Sequence, residues 1–137
     1  MSETVQYQTW PLSFSQRNIW DLERAFEGTS INNISTTLKI QGRVDFALLQ
    51  KTLNLMIEKD PSLRSRITIM EGEPVWYTAP YVRENFPIYD FSGAGEKGLK
   101  VWEDTLTREP ISVLRSPLYR FVLFRTGEHS GGVFIKI

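Results

Sequence analysis

The chain of 137 residues has no cysteine. Disulfides, cysteine nucleophiles and thiolate metal sites are therefore excluded, and the composition fits a reducing, cytoplasmic setting. A single histidine, His129, leaves too few imidazoles for a histidine-based metal cage. Charge of one sign is also missing: 16 Lys and Arg balance 16 Asp and Glu. No basic excess draws the chain to nucleic acid, and no polybasic run favours an anionic membrane surface. No apolar run approaches the ~20 residues of a membrane helix. Met1-Ser2-Glu3-Thr4 lacks the basic and apolar segments of a secretory signal. Repeats and low-complexity tracts are absent too. The length suits one domain, residues 1–137, with a real core.

What is present is organised around Asn33 to Thr78. Ile34, Thr36, Leu38 and Ile40 alternate with Ser35, Thr37 and Lys39, the period of a half-buried strand. Gln41-Gly42-Arg43 turns the chain. Asp45 is placed as a helix N-cap, with Val44 and Leu49 as a hydrophobic staple. Phe46, Leu49, Leu53, Met56 and Ile57 form one apolar helical face. Pro61 stops that helix and pushes Asp60 out of the α region. Leu63, Ser65, Ile67 and Ile69 alternate with Arg64, Arg66 and Thr68 as a second strand, and Met70 to Glu73 turns it into Pro74–Thr78.

Elsewhere, Val5 to Trp10 reads as a short strand. Ser13 and Gln16 have capping-box spacing, and a helix follows with Ile19, Leu22 and Phe26 on one face and Trp20 beside them. Ala79 to Pro87 is connecting chain, and Ile88 to Phe91 a short strand. A helix over Glu96 to Arg108 buries Leu99, Trp102 and Leu106. Leu118 to Arg125 is an apolar central strand. Thr126 to Gly132 is a polar loop, and Val133 to Ile137 returns as the second arm of a hairpin. Ending on a bare apolar strand leads us to expect that the sequence has been cut.

Several patterns invite a chemical reading. Gly93-Ala94-Gly95-Glu96-Lys97-Gly98 has the glycine spacing of a dinucleotide-binding turn. A lone glycine motif with no ribose-binding acid after it is better read as a flexible turn. His129 has only Glu128 adjacent and reads as an exposed loop histidine, not a base. Trp10, Trp20, Trp76 and Trp102 could line a ligand groove, but each falls in a predicted element and is assigned to packing. Arg64 is open between solvent and a bidentate pair with a carboxylate from another segment; Arg66 is assigned to solvent. Composition and spacing thus reach an α+β domain and no mechanism.

A resemblance reaches further. Leu12-Ser13-Phe14-Ser15-Gln16-Arg17-Asn18-Ile19-Trp20-Asp21-Leu22 is similar to the first core motif of nonribosomal peptide synthetase condensation domains, S-x-A-Q-x-R-L-W-x-L. Ser13, Gln16, Trp20 and Leu22 match it; Ser15, Asn18 and Ile19 depart. Lys59-Asp60-Pro61-Ser62-Leu63-Arg64-Ser65-Arg66-Ile67 resembles the second, R-H-E-x-L-R-T-x-F, with Leu63 and Arg64 matching outright. Asp90-Phe91-Ser92 and Pro117-Leu118-Tyr119-Arg120-Phe121 also resemble this family, in the right order and spacing.

The resemblance implies a chloramphenicol-acetyltransferase-like fold of two lobes, with a mixed sheet flanked by helices. This chain would be most of the first lobe and would lack the C-terminal one. It implies amide-bond formation between an acyl or peptidyl thioester and an aminoacyl thioester. Upstream and downstream peptidyl carrier proteins would bring them on phosphopantetheine arms through a tunnel between the lobes, with no cofactor bound directly. The family's catalytic H-H-x-x-x-D-G signature is absent, and its first histidine is expected just after Ile137, so no catalytic residue is assigned and the chain alone is expected to be inactive. Arg64 is assigned to structural support of that signature's aspartate. Siblings of the same fold (epimerisation, heterocyclisation or stand-alone acyltransferase domains) and a non-catalytic carrier-docking module are the alternatives. Loss of a second lobe would expose apolar surface and a sheet edge, so self-association is expected.

Overall fold

A reciprocal cap opens the first helix. The Gln16 N–H donates to Ser13 Oγ at 3.3 Å, and the Ser13 N–H donates to Gln16 Oε1 at 2.8 Å. The helix α1 then runs Phe14–Ala25, in a computed structural model that describes residues 7–137. Before it lies β1, Thr9–Pro11. Of the strand expected from Val5, residues Val5 and Gln6 lie outside the described residues, as does Met1 to Thr4, while Tyr7 and Gln8 are not strand.

After α1 come β2 (Ser35–Ile40), α2 (Phe46–Lys59), a 3-10 turn (Pro61–Arg64), β3 (Ser65–Met70) and β4 (Glu73–Thr78). Then follow β5 (Ile88–Asp90), α3 (Gly95–Arg108), β6 (Arg120–Gly127) and β7 (Ser130–Lys136). Asp45 Oδ1 accepts the Leu48 N–H at 3.0 Å and starts α2. Asp60 is extended before Pro61, at φ −104° and ψ 103°. Its carboxylate takes the Ser62 N–H and hydroxyl, which opens the 3-10 turn. Leu63 and Arg64 therefore belong to that turn and not to the strand expected there. Glu71 and Gly72 both have positive φ, 50° and 84°. They make the two-residue turn whose twist matches the β3–β4 hairpin.

The strands form two sheets where one was expected. A three-stranded antiparallel sheet has the order β1-β4-β3, and a four-stranded mixed sheet the order β2-β7-β6-β5, with β5 parallel to β6. In the larger sheet Phe121, Leu123 and Val133 pack against Leu53 and Ile57 of α2. Val122 and Phe134 face the other way, onto Leu106 and Trp102 of α3. The two helices thus cover opposite faces, and β6 and β7 sit in the core between them.

Two further expectations change. The alternation of β2 is present, but its apolar side is exposed: Ile34 is 69%, Leu38 50% and Ile40 39% accessible. Strand β2 lies at the sheet edge, beyond the cover of α2. The loop expected over Thr126–Gly132 is only a tight turn, because Gly131 and Gly132 are strand residues. A Cβ on Gly131 would overlap the Phe124 carbonyl oxygen, and one on Gly132 that of Leu38. These glycines mark a close backbone approach, not a turn.

Asn54 is buried on α2 and escaped the sequence reading. Its Oδ1 accepts the Glu84 N–H at 2.8 Å and its Nδ2 donates to the Glu84 carbonyl at 2.9 Å. Gln50, one turn earlier, does the same for Phe86: Oε1 accepts at 3.0 Å and Nε2 donates at 2.6 Å. One helical turn rises about 6 Å over four residues. Two residues of extended chain span roughly the same distance. The two amides therefore act as a strand edge for residues 84–86, and they seat Phe86 in the core. Asn54→Leu would strand the Glu84 backbone and the Tyr81 hydroxyl, which also donates to Asn54 Oδ1. It should destabilise the chain by about 3 kcal/mol in urea unfolding, since each stranded buried group costs about 1–3 kcal/mol.

Candidate functional site

Where the two sheets and α1 meet, they leave a cavity of about 510 Å3. Gln16 and Trp20 of α1 form one wall, and Ser65 and Ile67 of β3 with Trp76 and Thr78 of β4 another. Pro61 and Ser62 close one end. Ile111, Val113 and Leu118 line the remaining side, and Ile137, just past β7, reaches into it.

Local chemistry fixes each wall. Trp20 is 7% exposed and faces inward because the capping box sets the phase of α1. Ile67 and Trp76 are register partners on one face of the small sheet, and Trp10 extends that row by stacking on Trp76 at 4.6 Å. Segment 111–118 is held to β3 by the Arg115 N–H donating to the Ile67 carbonyl at 2.8 Å. Ile137 and Ile34 exchange both backbone hydrogen bonds, at 2.7 and 2.9 Å. Asn33 Oδ1 accepts the Ile111 N–H at 3.2 Å. Asn32 Nδ2 donates to Glu23 Oε1 at 2.9 Å. These asparagines were missed; two adjacent amides ahead of a strand were the signal.

The motif residues divide by role. Gln16 and Trp20 line the cavity, whereas Ser13 caps the helix and Leu22 is exposed away from the cavity walls. Arg64 is half-buried behind Ser65. Its Nη1 donates to the carbonyls of Ile57 at 2.9 Å and Glu58 at 2.6 Å, and Nε to that of Ala79 at 3.1 Å. The guanidinium thus seals the C-terminus of α2, whose last carbonyls lack helical donors. Arg66, assigned to solvent, is half-buried instead, with Nη1 on the Ser65 carbonyl at 2.9 Å and the side chain beside Tyr119. Asp90 lies at the far edge, where Ser92 donates to its carboxylate through N–H and hydroxyl, lowering its pKa. Gly93–Gly98 is a turn into α3, with the acidic Glu96 in the first helical turn where an anion would have to sit. His129 is exposed beside Glu128 at the opposite end of β7, about 26 Å from Ile137 at the rise of a strand.

Ser62, Ser65 and Thr78 line the cavity, and the Ser62 hydroxyl donates to Asp60 Oδ1 at 2.7 Å. Among the described residues no cluster of three or more His, Cys, Asp or Glu could hold a metal. No helix of the described residues is long and apolar enough to cross a membrane.

Comparison with known proteins gives the family. The chain belongs to the condensation domain family, whose model matches residues 6–137. It is 28% identical over 131 residues to one of the plipastatin synthase proteins of Bacillus subtilis (strain 168), covering 93% of this chain and 5% of that protein. It is 28% identical over 123 residues to one of the linear gramicidin synthase proteins of Brevibacillus parabrevis, covering 86% of this chain and 2% of that one. Among solved structures, the starter condensation domain of rhizomide synthetase superposes with a TM-score of 0.84 at 17% identity, over 94% of this chain and 32% of that one. The first condensation domain of the calcium-dependent antibiotic synthetase gives 0.83 at 22%, over 95% and 32%. The fold is the chloramphenicol-acetyltransferase-like one, and the chain spans about a third of those domains.

Tyr119, next to Leu118 in the cavity wall, is buried and its hydroxyl donates to Glu84 Oε1. Burial first, then this hydrogen bond, raises its pKa well above the ordinary 10.0. The neutral phenol is the folded form, so its contribution to stability is complete below pH 10 and is lost as pH climbs through the raised value. Subtracting a Tyr119→Phe titration from that of the wild type should give a tyrosinate signal that rises only above the ordinary range, together with loss of circular dichroism. A difference signal centred near pH 10 in folded protein would contradict the assignment.

Proposed function

We propose that this chain is the N-terminal lobe of a condensation domain joining an acyl or peptidyl thioester on one carrier protein to the amine of an aminoacyl thioester on another. The amine nitrogen attacks the thioester carbonyl, the C–N bond forms and the C–S bond breaks. The pantetheine thiol leaves, and the proton given up by the amine balances the thiolate. The carrying observation is convergence: both core motifs and the end of β7 meet in one largely apolar cavity. Ligand sites of about 300–1,000 Å3 are typically lined this way, with a few polar groups to orient the ligand. Upstream and downstream peptidyl carrier proteins, in the cytoplasm, are the partners this reading requires. A C-terminal lobe would complete the tunnel.

In this reading the chain supplies a binding wall and no base. Amide formation with loaded carrier proteins should be at background for the chain alone and measurable for a polypeptide that carries both lobes and the H-H-x-x-x-D-G signature. In that polypeptide we assign Arg64 to the signature's aspartate, in addition to its carbonyl contacts. Arg64→Ala should lower both turnover and stability, because breaking a buried ion pair costs about 3–5 kcal/mol. Turnover by the chain alone, or a two-lobed protein indifferent to Arg64→Ala, would refute the respective assignment.

The exposed apolar side of β2 on an edge strand supports self-association of the chain by itself. Light scattering should show a dimer or larger species, and a monodisperse monomer at high concentration would count against it.

A further inference from the structure

Lys136 lies in a run that is otherwise apolar, Val133-Phe134-Ile135-Lys136-Ile137, and is 0% exposed. A lysine is almost never fully buried without partners. Its Nζ donates to the carbonyls of Leu106 at 2.7 Å, Thr107 at 3.0 Å and Glu109. These groups end α3, where carbonyls have no helical donor and the dipole favours a cation. Directly opposite Lys136 on β6 stands Arg120. Like charges facing each other across a sheet are destabilising. Both cations are drawn to one place, for Arg120 Nη1 donates to Glu109 Oε2. An apolar pair would fill these positions at less cost in desolvation.

The neighbours suggest what the arrangement secures. Ile137, the next residue, lines the cavity and pairs with Ile34. On the other side, Glu109 is followed by Pro110 and then Ile111, which lines the cavity and donates to Asn33. The clamp therefore joins two stretches of wall that approach the cavity from different elements.

We propose that Lys136 is a positioning residue of the cavity, its ammonium pinning the end of β7 and the start of segment 111–118 to the C-terminus of α3. Its functional half rests on the reading of the cavity as the binding site. Three amides report on the clamp: Ile34, Ile137 and Ile111, which donate to Ile137 O, Ile34 O and Asn33 Oδ1. In hydrogen exchange on this chain, Lys136→Met should lower protection of these three by about tenfold or more while amides of Val122 and Phe134 stay within about threefold. Lys136→Arg, which keeps a cation, should restore them. Uniform loss across the sheet, or no change at the three reporters, overturns the proposal. Should Lys136→Met not fold, Lys136→Gln is read the same way; collapse of both assigns Lys136 to overall stability and also overturns it.

In a two-lobed protein containing this lobe, Lys136→Met should reduce kcat by about tenfold with KM nearly unchanged, as for a group felt mainly in the transition state. An unchanged kcat overturns the functional half. If the wild-type two-lobed protein forms no amide, it is the proposed function that fails, and the exchange experiment still decides the clamp.

Discussion

β6 and β7 have no solvent face, and the larger half of the structure follows from that constraint. Leu123 and Phe134 point to opposite helices and are both buried. A strand pair buried on both sides needs a cover on each, so α2 and α3 must lie on opposite faces. It also leaves no water for polar side chains. Lys136 finds the helix end of α3, and Tyr119 finds Glu84. The strap through residues 84–86 finds Asn54 and Gln50. Each answers the same demand, that a buried donor or acceptor have a partner.

The cations share a logic. Arg64 and Lys136 each leave a neighbouring segment to seal the C-terminus of a helix, α2 and α3 respectively. Both helix ends abut the cavity side of the molecule, where Ser65 and Ile137 form the walls. Helix termini expose carbonyls that cannot be buried bare. Placing them near an apolar cavity therefore requires a fixed cation or open water. Here cations do it, and the walls stay largely apolar.

Of the residues that match the first core motif, Ser13, Gln16 and Trp20 shape the cavity, whereas Leu22 lies away from it. Ser13 and Gln16 start α1 at a set phase, and that phase turns Trp20 inward. The small sheet then brings Ser65, Ile67 and Trp76 to face it. Neither sheet alone encloses the space. It exists because segment 111–118 is laced to β3 and Asn33.

Local signals were legible. The Ser13 and Asp45 caps, the stop at Pro61 and the helix over Leu99 to Leu106 act through backbone groups a few residues away, so neighbours in sequence suffice to read them. A central strand within Leu118–Arg125 was legible because a continuous apolar run has few other uses, although β6 begins only at Arg120 and Leu118 and Tyr119 precede it. Misreadings came where one residue type serves two ends. Gly131 and Gly132 resembled a loop but admit a neighbouring backbone. Arg66 resembled a surface charge but packs beside Tyr119.

By itself the sequence determined which segments become helix or strand and where most of them begin, because capping and chain-breaking are settled within one turn of backbone. Tertiary structure alone decided that Ser35 pairs with Lys136 and Ser65 with Thr78 in separate sheets, that the apolar side of β2 faces outward, and that a lysine can stand in the core. Those outcomes depend on which surfaces are left to cover once distant segments have met, and no local pattern encodes that remainder.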